Sequence, residues 1–141
     1  MTPAESDITA LQGALAAEHA AVYGYGVAGA MLSGADRTAA RADWIAHQEA
    51  RDTLEAMLIK LGATPVAASA AYQLPFAVTH PARARALAVF LEEGVTQAYL
   101  AIVAVRDKTL RSFGALAMQP PATRAATWRG TTIAFPGMPA S

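Results

Sequence analysis

Apolar residues recur along this chain at the three- and four-residue spacing of helices that bury one face. Ile8, Leu11, Leu15, Val22, Tyr25 and Leu32 form the first stripe, with Ser6 and Asp7 marking a helix start and Ser33-Gly34-Ala35 its end. Asp36 is placed to cap a second helix, whose stripe reads Ala40, Trp44, His47, Arg51, Leu54, Leu58 and Leu61 before Gly62 stops it. The short turn between the two predicts antiparallel neighbours. From Gly62 to His80 the periodicity lapses around Pro65 and Pro75, yet Tyr72-Gln73-Leu74-Pro75-Phe76 is apolar and is expected to lie against other helices. Helices of about 25 residues span about 38 Å, so a connection this long can run their whole length. His80-Pro81 predicts the third start, followed by Leu87, Leu91, Val95, Ala98, Ile102 and Val105. Asp107 then caps a fourth helix carrying Leu110, Phe113, Leu116 and Ala117. Pro120-Pro121 removes two donors and must break it, leaving a short helical piece over 122–128.

Two helices, a long crossover and two more helices is the connectivity of a ferritin-like four-helix bundle. The expected fold class is therefore all-α, with the long crossover between helices 2 and 3 and a proline-broken helix 4. The 141 residues fit a single domain, with the bundle over about 6–128 and an irregular tail over 129–141. Eleven basic and eleven acidic residues cancel, which leaves no electrostatic footprint for nucleic acid or an acidic membrane. The absence of cysteine excludes disulfides, iron–sulfur clusters and thiol nucleophiles. No run of 18 uninterrupted apolar residues offers a membrane span, and Met1 to Asp7 lacks the basic start of a secretory signal, so a cytoplasmic location is expected.

Candidate chemistry lies where polar side chains interrupt the apolar stripes. Glu18 stands between Leu15 and Val22, His47 and Arg51 fall one turn apart in the second stripe, and Glu92 shares a face with Tyr99 in the third. Charges at core-facing positions are costly unless paired or metal-bound, so these residues are expected to meet in the interior, with Tyr25 and Tyr99 as hydroxyl partners. Glu93 points away and is expected to be solvated.

At these residues the chain resembles a known family. Glu18 to Gly26, the segment from His47 to Asp52, Tyr72 to Phe76, Leu91-Glu92, Trp128-Arg129-Gly130 and Phe135-Pro136-Gly137 occur in matching order in the bacterial ferritin-like family known as domain of unknown function 4439. The resemblance implies a four-helix ferritin-like fold and no established activity.

A ferritin-like di-metal site draws one Glu from each of two helices and a Glu-x-x-His pair from each of the other two. Glu18 and Glu92 match the first and third helices, and His47 matches a second-helix histidine, but Trp44 stands where its Glu partner is needed. The fourth helix has neither Glu nor His. Half of the six ligands remain. Glu18, His47 and Glu92 suffice at most for a single iron or manganese ion, and Arg51 one turn away opposes a cation there. The leading expectation is thus a non-catalytic bundle with a degenerate metal site, replaced by a buried network of Glu18, His47, Arg51, Glu92, Tyr25 and Tyr99, and no cofactor. The alternatives are a mononuclear metal oxidoreductase or metal-storage protein, and a binder of small carboxylates. The latter would use a pocket lined by Tyr25, Trp44 and Tyr99, with Arg51 facing the acid. A homodimer is expected through His19, Tyr23 and the first helix's glycines, with neither nucleic acid nor membrane as partner. Gly24-Tyr25-Gly26-Val27-Ala28-Gly29 spells a dinucleotide fingerprint, but it sits inside a helical stripe with no strand before it and reads as close helix packing.

Overall fold

The computed structural model describes residues 1–130, and these are helical apart from turns and one long connection. The elements are α1 (Pro3–Ala30), α2 (Gly34–Lys60), α3 (Pro81–Val103), α4 (Lys108–Ala117) and α5 (Gln119–Arg129). Arg129, expected to open the irregular tail, instead ends α5; the rest of that tail, 131–141 with Phe135-Pro136-Gly137, lies outside the described residues.

Side-chain capping sets the starts of α1 and α4. α1 begins a turn earlier than Ser6 because Thr2 and Glu5 form a capping box around Pro3: the Glu5 N–H donates to the Thr2 hydroxyl at 3.1 Å, and the Thr2 N–H donates to the Glu5 carboxylate at 2.6 Å. α2 begins at Gly34 with Ser33 in the cap position, so Asp36 sits in the first turn and not at the cap. Gly62, at a φ of 78°, follows the end of α2 as a left-handed residue that only glycine adopts without strain. Asp107 caps α4 by accepting from the Leu110 N–H at 2.8 Å. Pro120 and Pro121 then supply no donor to the turn before them, and the chain restarts as α5 after Met118.

Specific contacts give the directions of the helices. Glu18 meets Tyr99 and Tyr25 meets Glu92, so α1 and α3 run antiparallel. Arg85 at the start of α3 reaches Asp36 at the start of α2 at 3.3 Å, so those two begin at the same end. Between them, the connection over 62–80 travels back along α1. Gln12 grips its start with both halves of its amide, donating to the Thr64 carbonyl at 2.7 Å and accepting from the Val66 N–H at 2.8 Å. His19 donates to the Val66 carbonyl at 2.9 Å, and the Tyr23 and Tyr72 rings meet at 5.4 Å. Leu74, Phe76 and Val78 then pack onto the core, and Arg83 lies over the Phe76 ring. His19 and Tyr23, expected to form a dimer face, are instead covered by this chain's own connection. A polar side chain off the core stripe has satisfied backbone groups that would otherwise be stranded on a buried surface.

The core joins Leu11, Leu15, Tyr25, Leu54, Leu58, Leu87, Leu91, Val95, Tyr99 and Ile102, all nearly inaccessible to solvent. α3 has a mean hydropathy of 1.4 over its most apolar stretch and is long enough to cross a membrane by composition alone, yet it buries Glu92 and Thr96 against the other helices. Two glycines set the closest approaches. A Cβ at Gly24 would stand 2.5 Å from the Leu91 side chain, and one at Gly114 would stand 2.9 Å from Ile102 Cβ and 3.2 Å from the Tyr99 carbonyl oxygen. Within the fingerprint-like run, Gly24 alone serves close packing, since Gly26 and Gly29 have open space around them.

Gly114→Ala is expected to destabilise the fold by about 2 kcal/mol, because neither a helix carbonyl nor a Cβ can yield. Gly13→Ala adds a methyl that meets nothing within 4 Å and is expected to stabilise by about 0.5–1 kcal/mol. Urea denaturation of both variants measures the difference, and shifts of the same sign would contradict this packing.

Candidate functional site

Four helices bring their polar residues to one point in the interior. Glu18 from α1, His47 from α2 and Glu92 from α3 are each at most 1% exposed. His47 lies between the carboxylates: Nδ1 is 2.5 Å from Glu18 Oε2 and Nε2 is 2.7 Å from Glu92 Oε1. A carboxylate only accepts, so an imidazole bonded on both nitrogens to carboxylates carries two protons and a positive charge. Burial pushes the His47 pKa down, but the hydrogen bonds and charges of Glu18 and Glu92 outweigh it and raise the value to about 9.

The tyrosines complete the carboxylates. Tyr99 donates to Glu18 Oε1 at 2.8 Å, and Tyr25 donates to Glu92 Oε1 at 2.7 Å while its ring stacks on His47. Burial, together with these neighbouring carboxylates, pushes both phenols far above the ordinary tyrosine range, so they serve only as neutral donors. Thr96 turns its hydroxyl back to the Glu92 backbone carbonyl at 2.7 Å.

The arginine comes from a different helix than expected. Arg51, placed by its spacing in the buried network, leaves the interior: its side chain is 29% exposed and pairs with Asp52 at 2.9 Å. An arginine stem is long enough to lie along an apolar face while its charged end reaches water. Arg124 of α5 takes the expected role, with Nε 2.9 Å from Glu92 Oε1. Sequence reasoning missed it, although Pro121, Ala125 and Trp128 form a short stripe that puts Arg124 at its edge. Asp43, also missed, accepts from Trp128 Nε1 at 2.8 Å and lies 3.4 Å from the Tyr25 hydroxyl. Its pKa is raised, mainly by burial. Glu93 is exposed, as its position off the stripe implies, and pairs with Arg129.

The donor set does not fit a metal ion. Both nitrogens of His47 are spent on protons shared with Glu18 and Glu92, so it has no lone pair for a cation. Three donors crowd on Glu92 Oε1, one of them a guanidinium, and Oε2 has no partner among the described residues. Among the described residues no group of three or more His, Asp or Glu side chains is arranged to hold a metal ion. The charges of Glu18, His47, Glu92 and Arg124 sum to zero, which makes the network self-contained.

Beside this network, α1 and α2 flank a solvent-open groove of about 300 Å³. Tyr25 and Trp44 line it as the carboxylate-binding expectation supposed, but Tyr99 and Arg51 do not; Arg37 and Arg41 supply the cationic wall.

An all-helical domain closed around a neutral Glu–His–Glu–Arg network is thus the class that fold and site define. The chain belongs to the family described as domain of unknown function 4439, whose profile matches residues 10–140. It is similar to the crystal structure of a conserved hypothetical protein, rv2844, from Mycobacterium tuberculosis, at 34% identity and a TM-score of 0.85 over 89% of this chain and 96% of that one. No curated protein matches.

Two outcomes test the network. Because the His47 pKa is raised on folding, its stabilisation is fully present below the unfolded value of 6.5 and is lost as pH climbs through about 9. Urea midpoints are expected to fall over that window by an amount worth roughly 3 kcal/mol, and the fall should disappear in His47→Gln; a flat wild-type profile would contradict a charged His47. Arg124→Ala is expected to cost about 2–3 kcal/mol by leaving Glu92 under-compensated, whereas Arg51→Ala should cost less than about 0.5 kcal/mol. The reverse order in thermal or urea unfolding would return Arg51 to the interior.

Proposed function

We propose that this protein is a non-catalytic, ferritin-like bundle in which a structural charge network occupies the position of a di-metal centre. The order of two helices, a long connection and two further helical units, with α4 and α5 sharing the fourth position, supports the ferritin-like reading. The observation that carries the rest is His47 donating from both nitrogens to carboxylates of two other helices. In a metal centre the imidazole gives a lone pair and the carboxylates converge on a cation. Here the imidazolium is itself the cation, and Arg124 adds a second positive charge. The carboxylates accept from Tyr25 and Tyr99 as well as from His47, so they are engaged inside the network and not turned toward a substrate. Such a centre fixes the helices relative to one another and leaves the outer surfaces to bind partners or ligands, as a scaffold or binding module does.

Elemental analysis of untagged protein, as purified and after anaerobic incubation with ferrous iron, tests the reading. Metal below about a tenth of an equivalent per chain is expected in both samples. Close to one equivalent of iron or manganese, lost in Glu18→Ala or His47→Ala, would overturn it in favour of a mononuclear metalloprotein.

A further inference from the structure

The groove between α1 and α2 has the chemistry of a ligand site independent of the charge network. On α1, Gly26, Gly29 and Ala30 follow one another at helical spacing; facing them on α2 are Ala40 and Trp44. Small side chains leave the groove unfilled, and a Cβ added at Gly26 or Gly29 would still meet nothing within 4 Å. Arg37 and Arg41, four residues apart on the same face of α2, complete the lining, which contains no acidic side chain. Like charges at that spacing repel, and these two guanidiniums have no hydrogen-bond or ion-pair partner among the described residues. Arg51, Arg85, Arg124 and Arg129 are by contrast all paired with carboxylates. The site therefore offers two unneutralised cations beside a groove with an indole on one side and glycines on the other.

We infer that this groove binds a small aromatic acid, with its ring against Trp44 over the glycines and its carboxylate forked by Arg37 and Arg41. The pairing follows from each part: a guanidinium presents parallel N–H donors matched to a carboxylate, and an indole face favours a flat ring. Tyr25 is shared between the two sites, lining the groove and bonded through its hydroxyl to Glu92.

Calorimetric titration with benzoate, paired with tryptophan fluorescence, tests the assignment on the wild-type protein. Saturable binding with a Kd of about 0.1–1 mM is expected, together with a change in Trp44 emission that is absent in Trp44→Phe. Benzamide, the neutral isostere, should bind at least about tenfold more weakly, as should benzoate to the Arg37→Gln/Arg41→Gln double variant. Both arginines are exposed, so the double variant is expected to keep the wild-type unfolding midpoint. No saturation by about 10 mM benzoate would overturn the proposal, as would equal affinity for benzamide or undiminished binding by the double variant. Phenyl phosphate binding at least about tenfold tighter than benzoate would overturn the carboxylate assignment in favour of a phosphate. None of these outcomes depends on whether the centre at His47 holds metal.

Discussion

A charged imidazole ring with a carboxylate on either side fixes three helices at once. The lines Glu18–His47–Glu92 draw α1, α2 and α3 to one point, and each bond is short enough to leave no freedom of register. Burying these groups singly would be prohibitive. Burying them together is feasible because Arg124 balances the charge of Glu92 and the hydroxyls of Tyr25 and Tyr99 each donate to one of the carboxylates. The surrounding alanines and leucines supply the hydrophobic drive, but many alternative packings could satisfy them. The polar centre selects one.

Much of this was legible in the sequence because polar residues in apolar stripes are conspicuous. Glu18, His47 and Glu92 interrupt long, regular helical patterns, and long patterns preserve phase, so the direction of each side chain could be read. Arg51 obeyed the same phase but not the same rule: a flexible stem lets its guanidinium leave the face to which its Cα belongs. Arg124 escaped notice for the opposite reason. The proline pair resets the helical phase, and the eleven residues of α5 are too few to define a stripe before the chain turns away. The start of α1 was displaced by a turn because the Thr2–Glu5 capping box, not apolar spacing, decides which residue leaves the extended conformation.

The connection between α2 and α3 shows the same dependence on backbone satisfaction. Its apolar Tyr72-to-Phe76 segment could be expected to rest on the helices, but the spacing of α1 could not reveal that Gln12 and His19 would bind main-chain groups some fifty positions away. Residues that look like an outward-facing polar strip are, in the folded chain, the seam that closes one side. A groove left open lies instead between α1 and α2 beside small residues, and there Arg37 and Arg41 stand without a hydrogen-bond or ion-pair partner among the described residues.

The break before α5 separates two kinds of attachment. α4 packs by shape, through the close approach of Gly114 to α3, whereas α5 is tied by directional bonds to two different helices. Trp128 reaches Asp43 on α2, while Arg124 and Arg129 reach Glu92 and Glu93 on α3. Neither helix alone can satisfy it. A slip of α2 against α3 by one turn, about 5.4 Å, would carry Asp43 away from Trp128 while leaving Arg124 at its carboxylate. The terminal helix is thus a vernier, engaging all its marks at only one alignment of the two rods beneath it.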